Sequence, residues 1–180
     1  LVALSLDHTG GRILNPELVY RVDKEDSFSS SISQAIEVAK ESSIQTILIL
    51  RKRSIAFHAT LTSCLNQLGI PLKNLGALLA PLLLEGIDTA DVFTVVEKLL
   101  QDERNNIVCL DNAELLFDRS IDLDVPTFIQ KLSKFSCLMV CIDAAIKDDC
   151  LVYGKPSQKE YKKMRNISDI VIIDAEGLAL

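Results

Sequence analysis

The run Ile107-Val108-Cys109-Leu110-Asp111-Asn112-Ala113-Glu114 is an aliphatic segment that ends in an acid, with a second acid three residues further on. In an open α/β sheet the carboxyl ends of the strands face the ligand crevice. Asp111 therefore stands where a strand acid can hold Mg²⁺ or its waters, and Glu114 where a carboxylate can polarise an attacking water. The same spacing also serves a plainer purpose, because an acid just ahead of a helix accepts hydrogen bonds from the first N–H groups of that helix. Both readings of the pair are open in the sequence.

Nucleotide chemistry needs a phosphate cradle as well. The usual one is G-x-x-x-x-G-K-S/T between a strand and a helix, where glycines let backbone N–H groups reach the phosphates and the lysine and hydroxyl handle charge and Mg²⁺. The turn after Leu50 reads Arg51-Lys52-Arg53-Ser54-Ile55-Ala56-Phe57-His58-Ala59-Thr60, without a glycine. Counting back from Gly69 puts Phe57 near the place of the phosphate lysine. Arg51, Lys52, Arg53 and His58 are the residues left to meet an anion there; otherwise they form a solvated basic turn and a helix-start histidine bonded to backbone. A second basic stretch interleaves Tyr153 and Tyr161 with Lys155, Lys159, Lys162, Lys163 and Arg165. It suits nucleic-acid phosphates or an acidic partner, or a solvated helix face.

The elements that must position these residues follow from hydrophobic periodicity. Residues 44–50, 106–111, 137–143 and 169–174 are nearly continuous aliphatic runs, which read as buried strands. Helical spacing sets Phe28, Ile32, Ala35, Ile36 and Ala39 on one face after a cap at Asp26, and Leu61, Cys64, Leu65 and Leu68 on another before Gly69. Further helices open at Asp88, and at Asp124 with Pro126, the latter carrying Phe128, Ile129, Leu132 and Phe135. The alternation predicts an α/β domain of three layers with a mostly parallel central sheet flanked by helices. Residues 24–180 form that domain and residues 1–23 an N-terminal arm or extra strand; residues 145–165 read as a loop or hairpin leading into a polar helix. The segment Leu75 to Leu84 (LGALLAPLLL) is apolar nearly all round, so its second face should be covered, by another subunit through Leu82 or Leu83 or by Leu1 to Val22.

The 180 residues amount to one domain with an aliphatic core: 48% are hydrophobic and only 5% aromatic. A net charge of −6 argues against a surface built mainly for nucleic acid, although a local basic patch is compatible with it. No apolar run approaches the ~20 residues that span a bilayer, so no membrane partner is expected. The chain opens on Leu1, without a charged stretch ahead of an apolar one, and an initiator segment is expected outside this numbering. Cys64, Cys109, Cys137, Cys141 and Cys150 are odd in number and lie mostly in apolar stretches, which suits buried thiols in a reducing cytoplasm. Cys137 and Cys141 lack the CxxC or His pair that would complete a zinc site.

Several blocks in order resemble one family. LDNAELLFD (Leu110 to Asp118), LSKF (Leu132 to Phe135) with the apolar strand after it, and LVYGKPSQKEYKK (Leu151 to Lys163) are similar to the BrxF family of P-loop proteins of bacterial BREX phage-defence systems, as is LGIPLKNLGALLAPLLL (Leu68 to Leu84). The resemblance covers about residues 44–174 and implies a P-loop NTPase-like fold and a place beside other defence subunits. Asp111 and Glu114 match that family's Walker B positions, whereas RKRSIAFHAT departs from its glycine-rich Walker A loop. The expectation is a degenerate P-loop domain, structural or regulatory rather than enzymatic, that needs no cofactor and can self-associate. The alternatives are an active ATPase, with Asp111 on Mg²⁺ and an unconventional site for ATP, and an accessory module that binds DNA.

Overall fold

In chain order the elements are β1 (Val19–Arg21), α1 (Glu25–Glu41), β2 (Thr46–Leu50), α2 (Ile55–Leu68), β3 (Leu72–Asn74), α3 (Leu75–Leu84), α4 (Thr89–Gln101), β4 (Ile107–Asp111), α5 (Val125–Leu132), β5 (Cys137–Ile142), β6 (Ala144–Lys147), β7 (Cys150–Tyr153), β8 (Lys162–Met164) and β9 (Val171–Asp174). Short 3-10 turns lie at Pro16–Leu18 and Ala113–Phe117. The computed structural model describes residues 14–86, 88–101, 103, 106–117, 121, 123–148, 150–157, 161–164 and 167–178. Lys159, Arg165 and residues 1–13 of the expected arm lie outside the described residues.

Among the described residues six strands form one sheet in the order β1-β9-β2-β5-β4-β3, and their pairings are parallel. Because successive side chains point to opposite faces, each aliphatic strand feeds two cores. Ile47, Ile49, Met139, Cys141, Val171 and Ile173 pack with Phe28, Ile32, Leu61 and Leu65 of α1 and α2. Leu48, Leu50, Leu110, Val140 and Ile142 pack on the other side with Leu75, Leu79, Val92, Val96 and Phe128 of α3, α4 and α5. Helices thus cover both faces, the only way a parallel sheet buries its backbone and its apolar side chains together. A second sheet of order β6-β7-β8 is antiparallel. Tyr153 holds it to the turn after β4 by stacking on Phe117, ring centroids 4.3 Å apart and 16° from parallel.

Local chemistry sets the helix ends. Ser54 Oγ accepts the Phe57 N–H at 2.9 Å to open α2, and Gly69 closes it at φ +67°, a left-handed conformation that costs glycine nothing. Asp26 does not cap α1. The cap position is Lys24, two residues earlier, and Asp26 sits in the first turn facing the positive end of the helix dipole. α5 stops at Leu132, short of Phe135.

Two further expectations change. The polar helix expected near residue 160 is, over Lys162–Met164, a strand antiparallel to β7: alternation exposes Lys163 and buries Met164, a period of 2 that three residues disclose poorly. On α3, Leu82 and Leu83 do not face outward. Both are half-buried against the core, and the outer face is Ala77, Ala80, Pro81 and Leu84. β1, part of the segment offered as its cover, lies at the opposite edge of the sheet from β3. No helix among the described residues is long and apolar enough to cross a membrane.

Candidate functional site

The carboxyl ends of the parallel strands deliver Arg51 after β2, Asn74 from β3, Asp111 from β4 and Asp143 after β5 to one edge of the sheet. The chain leaves β2 toward the β3 edge, returns through β4 to β5, and then crosses through β6, β7 and β8 to β9 on the far side of β2. The winding direction reverses beside β2. A reversal of this kind opens a crevice at the carboxyl edge, and Arg51 stands in it.

The backbone N–H of Arg51 donates to the Ile142 carbonyl at 3.1 Å, one residue beyond the β2–β5 ladder, and the residue is buried. Arg51 Nη2 lies 2.8 Å from Asp111 Oδ1 and 3.4 Å from Glu114 Oε1, with the Arg51 and Asp111 side chains each only 4% exposed. Asp111 Oδ2 meets His58 Nδ1 at 3.0 Å. Glu114 Oε1 also accepts the Asp143 N–H at 3.1 Å, while its Oε2 is buried without a hydrogen-bond partner. The guanidinium carbon of Arg51 lies 5.8 Å from the centroid of the Phe57 ring, within cation–π range. Burial works against the charge on Arg51, but the hydrogen bond to Asp111 and the fields of Glu114 and Asp111 outweigh it, and the pKa rises above its ordinary value. Arg51 is a buried cation, not part of a solvated basic turn. Asp111 in turn is no helix cap, since its oxygens serve Arg51 and His58.

A second chain of contacts ties three loops together. Arg53 Nη2 donates to Asn112 Oδ1 at 2.8 Å, and Asn112 Nδ2 donates to Asn74 Oδ1 at 3.2 Å. Asn74 Oδ1 also accepts the Ala77 N–H at 2.9 Å and so opens α3. Asn112 sits at φ +55°, a left-handed conformation that asparagine tolerates better than most residues. A Cβ on Gly76 would come within 2.9 Å of Asn112 Cβ and 3.2 Å of its carbonyl oxygen, so only glycine fits there. Between these contacts and the amino end of α2 lies a cavity of about 440 Å³ lined by Arg53, Ser54, Ile55, Phe57, His58 and Asn74, among others.

Of the residues expected to carry chemistry, Arg51, Arg53, His58, Asp111 and Glu114 come together. Lys52 is exposed beside them. Lys162 and Lys163 line a different cavity with residues 123–126, and Lys163 faces Asp148 at 3.8 Å. Asn74 and Asn112 lie at strand ends inside the blocks that carry the resemblance, but neither is of a type or spacing that sequence reasoning picks out for chemistry. The residues present do not fit Mg²⁺·ATP. A cation at Asp111 would need oxygens that Arg51 and His58 already hold, and the loop from β2 to α2 is only Arg51–Ser54, too short and too poor in glycine to wrap a phosphate chain.

Beneath the site, Cys109 and Cys141 bring their sulfurs to 3.7 Å on adjacent strands, both fully buried. The hydrogen bond to Cys109 and burial hold the Cys141 thiol well above its ordinary pKa of 9.0, and burial raises Cys137 and Cys64 too. Folding therefore favours neutral thiols: their contribution is intact below about pH 9 and declines above it, as the unfolded chain releases protons first. A urea midpoint lower at pH 10 than at pH 8 is expected, with a smaller drop in the Cys141→Val variant. An equal drop in both proteins would contradict this origin. No group of three or more His, Cys, Asp or Glu among the described residues is arranged to hold a metal ion.

No model of a known protein family matches the sequence, and no curated protein matches it.

Proposed function

We propose that the chain is a P-loop NTPase-like domain whose nucleotide site is occupied by its own Arg51, and that it acts as a structural or regulatory subunit, beside other subunits, in a cytoplasmic BREX-type phage-defence complex. One observation carries this reading: the buried contact of Arg51 with Asp111 and Glu114. In a P-loop enzyme the strand acid serves Mg²⁺ and the glutamate serves water. Here an internal guanidinium contacts both. It supplies positive charge where metal and lysine would supply it, and the scaffold keeps its shape without a ligand. The resemblance to BrxF supports the defence setting, since LDNAELLFD furnishes Asp111, Asn112 and Glu114 of this site.

A ligand at a hundredfold its dissociation constant stabilises a fold by about 2.7 kcal/mol, or several degrees in a domain of this size, at roughly 2–4 °C per kcal/mol. Thermal melting with and without millimolar Mg²⁺·ATP is expected to give the same midpoint. A rise of several degrees would overturn the loss of nucleotide binding. Co-expression of the tagged chain with BREX subunits is expected to yield a complex that elutes together, and elution of the chain alone would overturn the defence assignment.

A further inference from the structure

Among the described residues, two large apolar side chains stand out in solvent: Ile55 and Leu84, each 91% exposed. At that exposure neither covers the other within one molecule. Their surroundings are opposite in charge. Ile55 opens α2 beside exposed Lys52 and Arg53, and the sequence has no acid between Glu41 and Glu85. Leu84 closes α3 ahead of exposed Glu85, Asp88 and Asp91, and the sequence has no Lys, Arg or His between Lys73 and Lys98. Each corner thus joins one solvent-facing aliphatic side chain to a charge of a single sign. The side chains leading to Leu84 along the outer face of α3 are the small ones of Ala77, Ala80 and Pro81, which let a neighbouring helix approach closely.

We infer that these two corners are halves of one interface, and that a second copy of this chain seats Ile55, Lys52 and Arg53 against Leu84, Glu85, Asp88 and Asp91 of the first. Both complementary surfaces belong to the same sequence, so the partner that matches each is another copy. Because the two patches differ, the contact is head to tail, and it builds rings or open filaments rather than a two-fold dimer. Exposed charge pairs are screened by salt, so assembly weakens as ionic strength rises. The inference is independent of whether nucleotide binds.

Sedimentation of the full chain at low and high ionic strength tests it. Species heavier than the 19.9 kDa protomer are expected at low salt and are lost at high salt. Ile55→Asp and Leu84→Asp should each weaken self-association at least tenfold. Both positions face solvent, so far-UV circular dichroism is expected to be unchanged. Mixing the two variants should restore a one-to-one pair and nothing larger, because each retains one undamaged patch. A protomer that stays single at every concentration overturns the inference. So does association that survives either substitution, or a mixture of the two variants that remains unpaired.

Discussion

Arg51→Met is expected to destabilise the fold by about 3–5 kcal/mol, because it strips the counter-charge from two carboxylates held near the interior. Asp111, 4% exposed, would keep only His58, and Glu114 would keep only the Asp143 N–H. At roughly 2–4 °C per kcal/mol the melting point falls by roughly 6–20 °C. The arrangement also predicts a compensation. Arg51→Met combined with Asp111→Leu removes a buried charge along with its partner, so the double variant should lose less than the sum of the two single losses; replacing buried ion pairs by apolar residues of similar volume is often neutral. A loss below about 1 kcal/mol would mean an ion pair with the energetics of a solvated one.

Phe57→Ala is expected to cost about 3–5 kcal/mol, the usual range for deleting a buried aromatic ring. Phe57 is 3% exposed, packs its ring 5.6 Å from that of Phe28 at 59°, and lies under the Arg51 guanidinium. Alanine would leave a cavity between α1 and α2 and remove the aromatic surface on which Arg51 rests. Phe57→Lys bears on function more sharply. In a P-loop a lysine near this point meets phosphate, whereas here it would put an ammonium beside a buried guanidinium and in the place of a ring that is 3% exposed and packed on Phe28. It should destabilise more than Phe57→Ala and bring no response to Mg²⁺·ATP. Urea denaturation with an unchanged slope would separate these losses from a change in the unfolded state; a Phe57→Lys protein as stable as the parent would contradict the packing described.

The aliphatic runs made β2, β4, β5 and β9 legible, because a strand buried on both faces leaves little room for polar residues. Asp111 and Glu114 were legible for the same reason, as the first acids past such a run. Arg51 was visible as a residue and not as a role: its partner lies 60 positions away at the end of β4, and the long Arg51 side chain reaches it across β5 at the carboxyl edge of the sheet. Local sequence carries no trace of that meeting. β3 and β8 have three residues each, too few to show a period. Asn112 is ordinary in sequence and special only through its left-handed backbone and the glycine that makes room for it.

The most direct test of the internal guanidinium as the resident cation is Mn²⁺ binding, followed by electron spin resonance of the free ion. Mn²⁺ added to the full chain, alone and with ATP, is expected to give the same free-ion signal as in the matching solution without protein, because Arg51 and His58 hold the oxygens of Asp111. Saturable loss of that signal at one ion per chain, abolished by Asp111→Asn, would contradict it and place a divalent cation where Arg51 lies.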